Sequence, residues 1–74
     1  MAKIDVVLAI VQAAMTYSND PAVNALYARM ASNRDQLQGV CQNQDQTADI
    51  LARDAVLAAV NQQGDPHWML QAGI

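Results

Sequence analysis

Cys41 and His67 are the only residues able to form a thiol nucleophile and imidazole base, because the chain has one of each and a thiol acts only with a base in reach. Cys41, however, falls on the apolar stripe of a helical segment, where cysteine usually serves as a small core residue. One Cys and one His are too few ligands for a structural zinc site, and a single Cys leaves no internal disulfide. The acidic residues are all Asp, and none of their spacings suggests a metal site or a paired-carboxylate hydrolase. Asp49, Arg53 and Asp54 form an exposed helical cluster in which Asp49 and Arg53 are read as an ordinary i, i+4 pair. No Gly-rich phosphate loop is present. The sequence therefore predicts no catalytic residue, no cofactor and no metal.

Recognition of nucleic acid is also unexpected. The net charge is −3 and the only cations are Lys3, Arg29, Arg34 and Arg53, whereas a phosphate-binding surface needs several clustered cations. A helix-turn-helix reader would need a recognition helix rich in Arg, Lys, Asn or Gln; the segment after Thr47 offers one Arg among Ala, Leu and Val. His67 is the one side chain of a type that titrates near neutrality, and beside a helix start it reads as a surface residue.

The elements that would position any site are helical. Ile4 to Tyr17 is apolar around most of a helical wheel: Ile4, Val7, Leu8, Val11, Ala14 and Met15 make one face, and Val6, Ile10, Ala13 and Tyr17 extend it. Only Asp5, Ala9, Gln12 and Thr16 remain to meet water. Such a helix must be enclosed, and a chain of 74 residues is expected to lack the neighbours to do so. Its β-branched residues also suit a strand, but no second strand is visible to pair with it. Lys3 before this run has the look of a secretion signal, yet Asp5 and Gln12 interrupt it and no clear small-x-small site follows. No unbroken apolar run reaches the roughly 18 residues of a membrane span.

Asp20-Pro21 is a strong helix start, with Asp as N-cap and Pro at the first helical position. From there Val23, Leu26, Tyr27, Met30, Leu37 and Cys41 keep one register, which predicts a single second helix to about Gln42 with Gly39 as a weak point. Its seam of Val23, Leu26, Met30, Asn33, Leu37 and Val40 has coiled-coil spacing, with Asn33 either fixing register or solvated at the edge. Gln42 to Gln46 is a connection, and Thr47 or Asp45 caps a third helix. There Ala48, Ala52, Ala55 and Ala59 form a line that lets another helix approach closely, while Ile50, Leu57 and Val60 lie on other faces. Gly64 is expected to end this helix, and Asp65-Pro66 to repeat the cap-and-proline start. Trp68, with Met69 and Leu70, is the docking group of a last helical turn.

In this order of features the chain resembles the R-body structural proteins of the killing-trait family, short Ala- and Gln-rich bacterial chains that assemble into coiled ribbons. The residues carrying the resemblance are Asp20-Pro21-Ala22, Leu26-Tyr27, the Gln-rich Gln42 to Gln46, Thr47, Leu51-Ala52 and Ala55. The chain departs from that pattern in the close spacing of Pro21 and Leu26-Tyr27, in Arg29, Arg34 and Arg53, and in its GDPHWMLQAGI ending. The resemblance implies a cytoplasmic ribbon or filament subunit without catalytic residues, whose shape responds to pH.

The fold class expected is all-α: a helical hairpin or small three-helix arrangement in one domain, with a short C-terminal turn, oligomeric. A hydrophobic fraction of 53% against 15% charged residues leaves little polar surface for a small sphere, and chains this short commonly need a helper such as oligomerisation. The function expected is self-assembly. Its residues are Val6, Ile10 and Tyr17 on the outer face of the first helix, the seam Val23, Leu26 and Met30, the close-contact line Ala52, Ala55 and Ala59, and Trp68. The partner is another copy of the chain. The competing reading is a small adaptor or inhibitor, of the kind mobile elements encode, that offers the same faces, the Val23 seam above all, to a larger host protein.

Overall fold

The computed structural model describes all 74 residues and is all-helical, with α1 (Lys3–Ser18), α2 (Pro21–Ser32), α3 (Arg34–Gln42), α4 (Ala48–Val60) and the short turn α5 (His67–Leu70). α1 covers the apolar run read from the sequence. It ends on Asn19, whose left-handed φ of 49° lets its N–H reach the Met15 carbonyl, a conformation that Asn tolerates better than most residues. Asp20 then caps α2 as expected, its carboxylate accepting from the Ala22 N–H at 2.8 Å, with Pro21 opening the helix.

The second helix is not continuous. Asn33 leaves helical geometry at φ −117° and ψ 30°, and its side-chain amide donates to the Arg29 carbonyl at 2.8 Å. Asn competes with the backbone in this way and opens helices. Within the chain Asn33 closes the end of α2. The apolar phase survives because only one residue departs: the Leu37 N–H still bonds the Asn33 carbonyl at 3.0 Å, and Met30, Leu37 and Cys41 all stay buried.

α1 is enclosed by three helices. It packs against α2 and α3 as well as against α4, its most extensive contact. Ile4, Val7 and Val11 are fully buried and Leu8 and Ile10 partly so, so the chain covers the inner side of α1 by itself, contrary to expectation. The core joins these to Leu26, Met30, Leu37, Cys41, Leu51, Ala52, Ala55, Trp68 and Met69. A radius of gyration of 10.8 Å matches the roughly 11 Å of a closed domain of this length.

Polar ties hold the layers in place. Arg34, at the start of α3, grips Asp5 of α1 with two parallel bonds of 2.8 Å from Nε and Nη2, a bidentate geometry that fixes orientation. The Asp5 carboxyl is held below the usual carboxylate range, chiefly by these bonds, and Arg34 is shifted upward in turn. Lys3 Nζ donates to the Gln44 carbonyl at 2.8 Å, so α1 and α4 start at the same end of the molecule.

The chain after α4 differs from its sequence reading. α4 ends at Val60, and Gln62, not Gly64, takes the left-handed position at φ 57°. The Gln63 N–H reaches the Ala58 carbonyl at 2.9 Å and the Gln62 N–H reaches Ala59 at 3.2 Å, the paired bonds of a Schellman ending. Gly64, at φ 80°, turns the chain two residues later. Asp65 does not cap α5: Pro66 precedes the first helical residue, and Asp65 is drawn to Arg29 of α2 instead. α5 packs on α3, where Trp68 and Met69 are buried and the Trp68 Nε1 has no acceptor.

Candidate interaction surface

The structure separates the residues assigned to association into two groups. Val23, Leu26, Met30, Ala52, Ala55 and Trp68 are buried in the protein's own core, so they cannot form a surface for another molecule while the chain stays folded. α2 packs its Val23 seam inward against α1 and α4, and the alanine line of α4 is spent on α1, its closest companion. The close approach expected of those alanines occurs, but within one chain. Val6, Ile10 and Ala59 are half-buried, and Tyr17 is 90% exposed.

On α4 the side facing away from the core has its own pattern. Leu51, Ala52, Ala55 and Ala58 point inward, and Ile50, Arg53, Leu57 and Val60 point outward. Ile50, Leu57 and Val60 keep 39%, 49% and 37% of their surface exposed, and are the only large apolar residues so exposed within α2, α3 or α4. The spacing of these three and Arg53 puts them on one stripe off the alanine line; what the sequence does not reveal is that this stripe is the side left facing water. Beside the stripe α1 and α4 leave a groove of about 260 Å³ lined by Ile10, Ala14, Ala52, Val56 and Leu57, with Asp49 and Arg53 at its rim.

The charges around this groove are not paired with each other. Asp49 accepts the Thr47 hydroxyl, which holds its carboxyl below the usual range, with Arg53 contributing less. Thr47 precedes α4 but spends its hydroxyl on Asp49 and makes no bond to the backbone of the first turn. The Asp49 and Arg53 pair read from i, i+4 spacing does not close to ion-pair distance. Lys3, Arg29 and Arg34 are each tied to an oxygen elsewhere in the fold, whereas Arg53 makes no hydrogen bond or ion pair. Asp54, half-buried beside it, also has no partner.

A second set of exposed apolar groups, Met1, Tyr17, Leu70 and Ile74, lies at the ends of the molecule. Tyr17 marks one end of α1. At the other, Gln44 links Lys3 to Gln71, which brings the tail, with Leu70 and Ile74 exposed, beside the start of α1.

Elsewhere the chemistry is sparse. Cys41 is buried, burial pushes its thiol up, and no hydrogen bond joins it to the exposed His67. No three His, Cys or Asp side chains gather in a metal-binding group, and no helix is long and apolar enough to cross a membrane. A groove between α2 and the end of α4, lined by Ala22, Ala25, Leu26, Ala58 and Ala59, is closed at one side by the Arg29 and Asp65 pair. Comparison with protein families, with curated proteins and with solved structures finds no match. What the fold and surface define is a small all-helical protein whose distinctive exterior is the outer stripe of α4.

Proposed function

We propose that this chain is a non-enzymatic, self-assembling helical structural protein, a subunit of a ribbon or filament of the R-body kind that acts in the cytoplasm. The observation that carries the reading is the outer stripe of α4, where three large apolar side chains stand together on a helix whose inner face is already satisfied. Apolar side chains aligned on one exposed helix face, here with Arg53 between Ile50 and Leu57, offer surface that association can cover. An open polymer needs a second contact that does not overlap the first. The exposed groups at the ends of α1, Tyr17 at one and Leu70 with Ile74 at the other, supply a candidate for head-to-tail joining. Low charge and a surface rich in Gln and Asn keep repulsion between copies weak.

An adaptor or inhibitor is the competing function. The Val23, Leu26 and Met30 seam expected to serve it is buried, so that reading too would have to rely on α4.

Mass and shape measured by light scattering and negative-stain microscopy, at neutral pH and near pH 5, test the proposal. Ribbons or filaments are expected, dispersed by Ile10→Asp or Leu57→Asp in protein that remains helical. A uniform small oligomer at both pH values favours the adaptor. The Asp5 and Arg34 pair stays charged at pH 5, because the Asp5 carboxyl lies below its ordinary value. An acid-driven change in that range therefore acts through other groups.

A further inference from the structure

We propose that the outer stripe of α4 is a twofold interface with α4 of a second copy, the two helices running antiparallel. The inference rests on the self-assembly reading and names the contact by which it begins. Ile50, Arg53, Leu57 and Val60 are separated by three, four and three residues, a spacing that reads the same in both directions. A pattern of that kind is complementary to itself under a twofold axis, which is what a closed pair of identical chains requires. With the axis at the level of Ala55, Ile50 of one copy packs on Val60 of the other, and the aliphatic stem of Arg53 lies along Leu57.

Charge points to the same occupant. Arg53 is the one cation not tied to an oxygen of its own chain, and it sits on the stripe next to Asp54, a carboxylate also without a partner. Neighbours on one helix at i, i+1 do not face each other. Across the twofold, Arg53 of each copy comes within about one helical turn of Asp54 of the other, so the dimer pairs both charges twice. A 13-residue helix is about 20 Å long, and such a contact falls below the roughly 800 Å² per partner of a standard interface. The dimer is accordingly weak and forms in a concentration-dependent way.

Sedimentation equilibrium across a concentration series reads the association. Arg53→Asp and Asp54→Arg each place like charges across the axis and are expected to weaken dimerisation by about tenfold or more, while the combined Arg53→Asp, Asp54→Arg protein recovers it. A double variant as monomeric as the singles, with its helix content intact, overturns the pairing. Cysteine cross-linking checks the register without charge changes. Residues 50 and 60 of one helix lie about 15 Å apart, beyond the roughly 7 Å reach of a disulfide, so only two chains can link them. Oxidation is expected to give covalent dimers from protein carrying both Ile50→Cys and Val60→Cys, and none from either alone. Efficient linking of a single variant overturns the antiparallel register. Wild-type protein that is monomeric throughout overturns the self-assembly reading itself, whereas filaments that persist when Leu57→Asp is introduced overturn only this interface.

Discussion

Gly39 and Gly64 allow one substitution to be made twice with opposite results. A Cβ added at either position meets nothing within 4 Å, so neither change is limited by packing and only the backbone decides. Gly39 lies inside α3, where alanine is the better helix former by about 1 kcal/mol. Gly64 stands at φ 80°, where a side chain costs roughly 1–2 kcal/mol. Part of that is offset by the reduced freedom of the unfolded chain, leaving a net loss of about 0.5–1.5 kcal/mol. For a protein of 74 residues the unfolding entropy is about 0.16 kcal/mol/K. Gly39→Ala should therefore raise Tm by about 6 °C, and Gly64→Ala should lower it by roughly 3–9 °C. Thermal melts followed by far-UV circular dichroism at one fixed protein concentration measure both, since association makes Tm depend on concentration. Shifts of the same sign in the two variants would refute the assignment of the two backbone conformations.

Three further outcomes follow from the core and its ties. Asp5 has a folded pKa below its unfolded one, so its contribution is fully present above about pH 4 and is lost as pH falls through the folded value; the stability gap between wild type and Asp5→Asn should be constant at pH 5 to 7 and narrow as pH falls below about 4, and a gap unchanged between pH 5 and pH 2 contradicts this. Cys41 is buried with its thiol pushed up, so a thiol reagent at neutral pH should label it only as fast as the protein opens, the rate climbing with urea; labelling at the speed of a free thiol in native protein is the contrary result. Met30→Ala should cost about 2–5 kcal/mol in urea unfolding, whereas Leu57→Ala on the stripe should change monomer stability by only about 0.5 kcal/mol, and equal losses would mean that core and surface have been confused.

Helix type was legible from the sequence wherever local chemistry decides it. The Asp20-Pro21 start and the span of α1 depend on nearest neighbours along the chain, and both stand as read. The bend at Asn33 was missed because the apolar phase of Met30, Leu37 and Cys41 passes through it unchanged, and a one-residue departure leaves no trace in periodicity. Its signal was present in Asn33 itself, placed where a side-chain amide can take a carbonyl of the preceding turn. That Val23, Leu26 and Met30 face inward, and that α1 finds neighbours within one short chain, depends on how α2 and α4 pack on α1, which periodicity along the chain does not encode. Asp65 was read as a cap because Pro66 follows it, but a long-range partner, Arg29, wins the carboxylate, and no pattern in the chain announces a contact between residues so far apart. The surplus apolar character of α4 was visible in Ile50, Leu57 and Val60. Which side of that helix faces water depends on where α1 lies, and that is a tertiary fact.

The placement of α1 among α2, α3 and α4 has a consequence for how the protein is made. The ribosome delivers α1 before any of its neighbours, and the last of them, α4, its largest contact, follows about 40 residues later. At roughly 5–20 residues per second, those take about 2–8 s to synthesise. Through that interval Ile4, Val7 and Val11 have no finished pocket, and once α1 leaves the ribosome ahead of α4 it is the most apolar helix of the molecule without its largest contact. Neighbouring ribosomes on one message would hold several such helices close together. Slowing translation between Asn19 and Val60 lengthens the exposure and should increase the fraction of chains lost to aggregation, even though the folded product is unchanged.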